Sequence, residues 1–413
     1  MKQEVVAIVV GGGPAPGING VISAATIEAV NEGKDVIGIV GGFRSLFAGD
    51  RKSVMSLKIE DVSRIHTEGG SILRTSRDTA DVAKARFSVL LQTLKTLKVR
   101  YLITIGGDGT AYMARWIEQE ARGKISVVHV PKTIDNDLHL PGGRSSFGYQ
   151  TARHWGVEIV KNIMEDARTT GRWYFISTMG RNSGHLALGI GKAAGATVTI
   201  IPEEFPEEKL NFRKVADILE GSIIKRLAHG RDHGVAIMAE GISEKIDMKD
   251  LELCEDIERD ELGRIRLSEI QLGRIFKDMV KKSLDDRNIG MTIVHKTIGY
   301  ELRAADPIPY DIEYTRDLGY GAVRFLLNGG TGAMITIDEG RLRPVSFVEM
   351  ADPATGKTKV RLVDINSEAY EVGRKYMLRL EKEDFLAGSV EPLAKAAAMS
   401  VAAFKKRFSY LAA

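Results

Sequence analysis

Val5-Val6-Ala7-Ile8-Val9-Val10 runs straight into Gly11-Gly12-Gly13, and a helical pattern follows from Ile18 to Glu32 before a second apolar run, Val36 to Val40. Short runs buried on both faces and separated by helices are the mark of a parallel sheet with crossover connections. The same rhythm predicts strands at Tyr101 to Ile105, Ser126 to Val130, Trp173 to Met179, Thr197 to Ile201, Gly234 to Ala239, Thr292 to Ile298 and Ala333 to Ile337. Most end at glycine, proline or a charged residue. Ligands gather at the carboxyl ends of such strands, which is where this chain keeps its glycines and acids.

Two of those strand ends carry chemistry. Gly106-Gly107-Asp108-Gly109-Thr110 offers flexible backbone and one carboxylate. One helix and strand later, Pro131-Lys132-Thr133-Ile134-Asp135-Asn136-Asp137 offers a cation, a hydroxyl and two carboxylates. Phosphoryl transfer needs that inventory: amides and cations for phosphate, carboxylates for magnesium, and a carboxylate to take the proton of an attacking hydroxyl. The 413 residues suffice for two domains, and a net charge of +3 from 58 basic and 55 acidic residues leaves no nucleic-acid footprint. No apolar run is long enough to span a bilayer. The N-terminal run is too short for a signal-peptide core and is read as the first strand. A single cysteine, Cys254, excludes an internal disulfide and fits a reducing cytoplasm. The charged stretch Leu251 to Leu267 is expected to be an exposed excursion. After a polar bend at Val363 to Ser367, Glu368 to Lys382 and Leu393 to Phe408 are expected to be packed terminal helices.

The chain resembles the 6-phosphofructokinase family. It has GGGPAPGIN (Gly11 to Asn19), GGS followed by Arg77 (from Gly69), GGDGT, PKTIDND, MGR (Met179 to Arg181), IPEE (Ile201 to Glu204), AEG (Ala239 to Gly241) and GYELR (Gly299 to Arg303) in the family's order. The resemblance covers roughly residues 5 to 325, and the tail beyond Asp338 looks like that of the long group that includes pyrophosphate-dependent members. GGDGT alone is shared with NAD and lipid kinases, whereas PKTIDND followed by MGR is not expected of them. A catalytically silent regulatory subunit is disfavoured by intact Asp108, Asp135 and Arg181.

The resemblance implies two Rossmann-like α/β domains, parallel sheets with helices on both faces, and an active site in the cleft between them. A phosphoryl-donor domain is expected at 1–146 with about 302–350, and a sugar-phosphate domain at 147–301 with about 351–413. It further implies that Asp135 is the base for the 1-hydroxyl of fructose 6-phosphate, that Asp137 orients substrate or helps the metal, and that Thr133 donates to a sugar or phosphoryl oxygen. Asp108, with Gly107, Gly109 and Thr110 of its loop, would serve Mg2+ and the donor, although an aspartate there also suits a helix start. Gly13, lacking a side chain, would let a backbone amide approach the transferred group beside the helix that begins near Ile18. Arg77 would grip the donor's phosphates and Arg181 the group in flight. Met179, Gly180 and Glu240 would shape the sugar pocket. Arg303 would bind the 6-phosphate and Arg172 would reach the fructose 6-phosphate site of a neighbouring subunit, which implies a homodimer or homotetramer. Guanidinium forks suit phosphate because two parallel bonds fix orientation as well as charge.

Departures from the short bacterial enzymes are local. Tyr300 stands where they have histidine, Lys296 stands in for an upstream arginine, and Ser23 and Ile27 occupy positions of effector-binding arginines, so their nucleotide and phosphoenolpyruvate control is not expected here. The donor signature is mixed. Gly109 is the ATP users' residue, leaving room for a nucleotide; Lys132 is the pyrophosphate users' residue. A flexible lysine stem can swing aside, whereas an aspartate on a tight loop cannot shed its charge cheaply. The expectation is therefore a cytoplasmic kinase using ATP, with pyrophosphate as the alternative.

Overall fold

The computed structural model describes residues 4–77, 80–207, 209–246, 270–350 and 358–412, with the side chains of 80–85 left out. The expected excursion at Leu251 to Leu267, and Cys254 within it, lie outside the described residues. The chain forms two compact units, Met1–Ala152 with Tyr300–Arg361, and Arg153–Gly299 with Leu362–Ala413.

In chain order the strands are β1 (Val5–Val10), β2 (Asp35–Ile39), β3 (Val54–Ser56), β4 (Val99–Gly106), β5 (Ser126–Thr133), β6 (Phe147–Gly148), β7 (Trp173–Thr178), β8 (Val198–Ile200), β9 (Gly234–Ala239), β10 (Ile293–Ile298), β11 (Ala333–Asp338) and β12 (Arg341–Ser346). The first unit's sheet has the order β12-β11-β5-β4-β1-β2-β3, with β6 paired to β5. Its central pairs are parallel, with Val10 opposite Ile105 and Ile105 opposite Val130. β1, β4 and β5 therefore end level, and their following loops are neighbours at the point where the strand order reverses.

Successive residues of these strands enter opposite cores. Ile8, Val10, Ile103, Ile105, Val128 and Val130 pack with Ile18, Val21 and Ile22 of the helix Ile18–Asn31 and Leu318 of the helix Pro309–Leu327. Ala7, Val9, Leu102 and Val127 pack with Phe43, Leu90, Ala114 and Ile117 on the other face. Each fully buried Val, Leu or Ile contributes about 1.5–3 kcal/mol. Burial on both sides is why the strands read as continuous apolar runs.

The second unit has the order β10-β7-β9-β8, all parallel. Phe175, Val198, Ile200 and Met238 meet Phe212, Val215 and Leu219 of the helix Phe212–Ala228 and Phe276 and Val280 of the helix Leu272–Asp285. Thr178 lies opposite both Ile298 and Ala239, so β7, β9 and β10 also end level.

The α/β class and the parallel core of the sheets are as expected; at the edges of the first sheet β3 and β12 join antiparallel, and Pro344 within β12 is tolerable at an edge. Two expectations in the tail need correction. The segment Leu393 to Phe408 is two helices, Val390–Ala396 and Val401–Phe408, interrupted by Ala398 in the left-handed region at φ 49°. Ser400 restarts the helix by accepting from the Ala403 amide. The apolar spacing persists across this break because Leu393, Phe404 and Phe408 all reach the same core as Ile224 and Leu380. Glu368 to Lys382 is helical only to Lys375, after which the chain leaves the helix and Leu378 donates to the Thr197 carbonyl at 2.8 Å.

One polar pair lies inside the first sheet. His129 is fully buried on β5 with its Nδ1 2.9 Å from Thr104 Oγ1 on β4, and burial pushes the imidazole down to about 3. Below its ordinary value of 6.5 the unfolded chain takes up a proton that the folded one refuses, so stability falls as pH falls. The expected contribution is about 1.4 kcal/mol per pH unit over roughly pH 6.5 to 4. Urea midpoints across that window should fall less steeply for His129→Gln than for the wild type; equal slopes would mean that His129 is not held neutral.

Candidate active site

Gly11 donates to the Ile105 carbonyl and Gly12 to the Ser76 carbonyl, both at 2.9 Å, and Thr75 Oγ1 donates to the Gly12 carbonyl at 2.7 Å. The loop after β1 is thus tied both to β4 and to the segment leading to Arg77. Gly17 closes the loop at φ 101°, where a Cβ would also stand 2.7 Å from Thr315 Cγ2. Glycine is required there on both counts. The helix Ile18–Asn31 starts immediately afterwards with no side-chain cap and no acid in its first turn, leaving its free amides suited to an anion. Asn19 is buried and holds the Arg77 approach, donating to the Glu68 and Gly69 carbonyls at 3.2 Å and accepting from the Ile72 amide at 3.0 Å.

Cations converge on this loop. A Cβ at Gly13 would lie 3.0 Å from Arg303 Nη1 and 3.3 Å from Arg77 Nη2. Lys132, only 4% exposed at the end of β5, donates from Nζ to the Gly13 carbonyl. Burial pushes this lysine down to about 8, helped by repulsion from Arg77 and Arg303 and opposed by Asp135. Burial and Arg77 hold Arg303 below the usual arginine range as well. Crowded cations at a glycine turn, next to an uncapped helix start, are chemically suited to an anion.

The neighbouring loops add carboxylates. Gly107 precedes the helix Asp108–Ala121, and exposed Asp108 in its first turn accepts from the Gly109 amide through Oδ1 at 2.7 Å. A Cβ at Gly109 would meet nothing within 4 Å. Thr110 is different: its side chain is buried, and a Cβ on Gly11 would lie 3.2 Å from Thr110 Cγ2. Its packing under the two loops is what the structure shows of it. After β5, Thr133 Oγ1 accepts from the Asp135 amide at 3.0 Å, and Ser146 Oγ donates to the Thr133 carbonyl at 3.0 Å. Asn136, between the two aspartates, adopts φ 57° and accepts from the Ser146 amide at 3.2 Å. The Asp137 carbonyl accepts from the Arg361 amide at 2.7 Å. Arg303 lies over the exposed Tyr300 ring, 4.5 Å from its centroid.

In the second unit, Met179, Gly180, Arg181 and Glu240 come together at the carboxyl ends of β7 and β9. Glu240 donates from its amide to the Thr178 carbonyl at 2.9 Å and Gly241 to the Gly180 carbonyl at 3.0 Å. Gly180 has φ 128°, and Arg181 Nε donates to Glu244 at 2.8 Å. Lys296 stands apart on β10, exposed and opposite Ile176 rather than at the strand end. Arg172 precedes β7, its carbonyl accepting from the Gly234 amide at 3.2 Å. It is about 20 Å from Met179 by strand rise, at the opposite end of the sheet. Glu203 and Glu204 of the IPEE segment are structural anchors: Glu203 accepts from the Gly184 and Val363 amides, and Glu204 forks with buried Arg379 at 2.5 and 3.0 Å. Asn19, Arg361 and Arg379 were not singled out by sequence reasoning. Asn19 lies within a quoted motif, but Arg361 and Arg379 sit in the tail, where no local pattern marks their partners.

The family model described as phosphofructokinase matches residues 5–326. The chain is 54% identical to a pyrophosphate–fructose 6-phosphate 1-phosphotransferase of Thermotoga maritima, with 92% of each chain covered. A protein of the same description from Naegleria fowleri is 46% identical, over 98% of this chain and 95% of its own. Among solved structures, a pyrophosphate-dependent phosphofructokinase from Nitrosospira multiformis superposes with a TM-score of 0.66 at 17% identity, covering 97% of this chain and 92% of that one. At that identity the likeness is one of fold.

The geometry around Gly241 is directly testable. An added Cβ would lie 2.5 Å from the Arg181 carbonyl oxygen and 2.9 Å from that of Gly180, so backbone would have to move. Gly241→Ala is expected to cost about 1–3 kcal/mol, read as a lower urea midpoint with faster amide exchange at Met179 to Arg181. An unchanged midpoint would contradict the close approach.

Proposed function

We propose, from the premise that the chain belongs to the phosphofructokinase family, that it transfers a phosphoryl group from pyrophosphate to the 1-hydroxyl of fructose 6-phosphate. The carrying observation is buried Lys132, bonded to the Gly13 carbonyl with Arg77 and Arg303 beside it. Lys132 and Arg77 suit a compact, highly charged donor that brings no base or ribose to bury. The printed names of the two relatives at 54% and 46% identity agree with this reading.

The ATP preference read from Gly109 loses its footing. It assumed that the Lys132 stem could swing aside, yet that side chain is buried and tethered. The open space at Gly109 permits a nucleotide without requiring one. A NAD or lipid kinase does not account for the match over residues 5–326.

In this reading the sugar 1-oxygen attacks the near phosphorus of pyrophosphate, the bridging P–O bond breaks, and inorganic phosphate leaves. Asp135 takes the hydroxyl proton; Thr133 and Asp137 orient the acceptor; the Gly13 amide, Arg77 and Lys132 hold the donor. Asp108 and the donor's oxygens would hold Mg2+. No cluster of three or more metal-ligating side chains exists among the described residues, which suits an ion that is completed by waters and substrate phosphates. Bound there, Mg2+ would neutralise phosphate charge. Met179, Gly180, Arg181 and Glu240 would contact the sugar, and Arg303, Tyr300 and Lys296 its 6-phosphate. Arg172, remote from Met179 within its own unit, would serve a neighbouring copy, making the working form at least a dimer. No helix among the described residues is long and apolar enough to cross a membrane, and a single cysteine suits the cytoplasm.

Purified protein with Mg2+, fructose 6-phosphate and either donor should show kcat/KM for pyrophosphate about 100-fold or more above that for ATP. Equal or higher efficiency with ATP would overturn the donor assignment, and no fructose 1,6-bisphosphate from either would overturn the reading. Lys132 also sets a pH limit. Its cationic form is present below about 8 and lost above it, so kcat/KM for pyrophosphate should fall on the alkaline side with that value, since this constant reports the free enzyme. Lys132→Arg, charged throughout, should lack that limb; an identical limb in the variant would assign it elsewhere.

A further inference from the structure

Arg361 is the last residue of the first unit and lies beyond residues 5–326, which the family model matches. Its surroundings are nonetheless those of the acid loop. Val360 forms an isolated antiparallel bridge with Leu138, and the Arg361 amide donates to the Asp137 carbonyl at 2.7 Å. The guanidinium reaches further along the same loop: Nη1 donates to the Arg144 carbonyl at 2.9 Å and makes a long contact of 3.5 Å with Asn136 Oδ1. Asn136 Oδ1 is also the acceptor of the Ser146 amide. One tail residue thus touches Asn136, Asp137 and Arg144, along the far side of the turn.

That turn needs an external hold. Asn136 is a non-glycine residue at φ 57°, a conformation that costs roughly 1 kcal/mol or more and persists where surrounding contacts over-determine it. Asp135 and Asp137 flank it, so relaxation of Asn136 would turn both carboxylates. Thr133 Oγ1 and Ser146 secure the start of the turn; Arg361 secures its far side.

We propose that Arg361 is a positioning residue for phosphoryl transfer, clamping the Asp135-Asn136-Asp137 turn so that the base and its neighbour keep their orientation. The inference rests on the reading of Asp135 as the base. A turn loosened by about 1 Å can lower turnover on the order of 100-fold without a comparable loss of binding.

The test uses the full chain carrying Arg361→Ala or Arg361→Lys. For Arg361→Ala, kcat should fall about 10- to 100-fold with KM for both substrates within about threefold, and millimolar guanidinium ion should restore part of it. Arg361→Lys should lie between, because an ammonium can reach the Arg144 carbonyl but does not keep the guanidinium's second contact, with Asn136. Amide exchange over Ile134 to Ser146 should quicken in Arg361→Ala while that of β7 and β9 is unchanged. A kcat within twofold of wild type, or a loss that guanidinium does not rescue and that accompanies faster exchange throughout the protein, would overturn the proposal. Wild-type protein inactive on fructose 6-phosphate would instead overturn the functional reading, and local exchange would still show whether Arg361 clamps the turn.

Discussion

The level ending of β1, β4 and β5 is the constraint on which the first unit's site depends. Parallel register places Val10, Ile105 and Val130 side by side, so the loops that follow have no choice but to be neighbours. Glycine at 11, 12 and 13 then lets backbone come close enough for the Lys132 ammonium to bond the Gly13 carbonyl. A buried cation that bonds a neutral carbonyl and faces two guanidiniums, with Asp135 as a partial offset, carries a local excess of positive charge. An anion would balance it, which is why the fold and the chemistry cannot be separated here.

The second unit repeats the geometric device with different contents. Its strands also end level, but the loops bring together Met179, Arg181 and Glu240 over glycines whose close backbone approach is the organising feature. Arg181 is held by Glu244, so its guanidinium already has a defined direction. Arg172 shows the limit of motif reading. It is seven residues from Met179 in sequence, yet a strand converts that spacing into opposite ends of a sheet.

The tail contributes through anchors rather than loops. Arg379 forks onto Glu204 and donates to the Thr199 carbonyl beneath the end of β8, while Glu203 links the Gly184 turn to Val363. Arg361 does the equivalent for the acid turn of the first unit. These are long-range partnerships between one charged residue and backbone amides, backbone carbonyls or a distant acid. They leave no periodic or local signature, and sequence reasoning passed over them for that reason.

The sequence by itself determined the α/β class, the core strands and the phosphate chemistry, because runs buried on both faces read as continuous apolar segments and the glycine and acid loops sit at their ends. It also suggested the terminal helices from apolar spacing, which survives even where Ala398 breaks the helix. The antiparallel edges were invisible, since β3 and β12 are short or exposed and carry little hydrophobic pattern. The donor question shows most plainly what needed three dimensions. Gly109 and Lys132 pulled the sequence reading in opposite directions, and only tertiary packing shows that one position is open space while the other side chain is buried and tethered. Burial and tethering depend on contacts 119 residues apart in the chain, and no local pattern of residue types contains them.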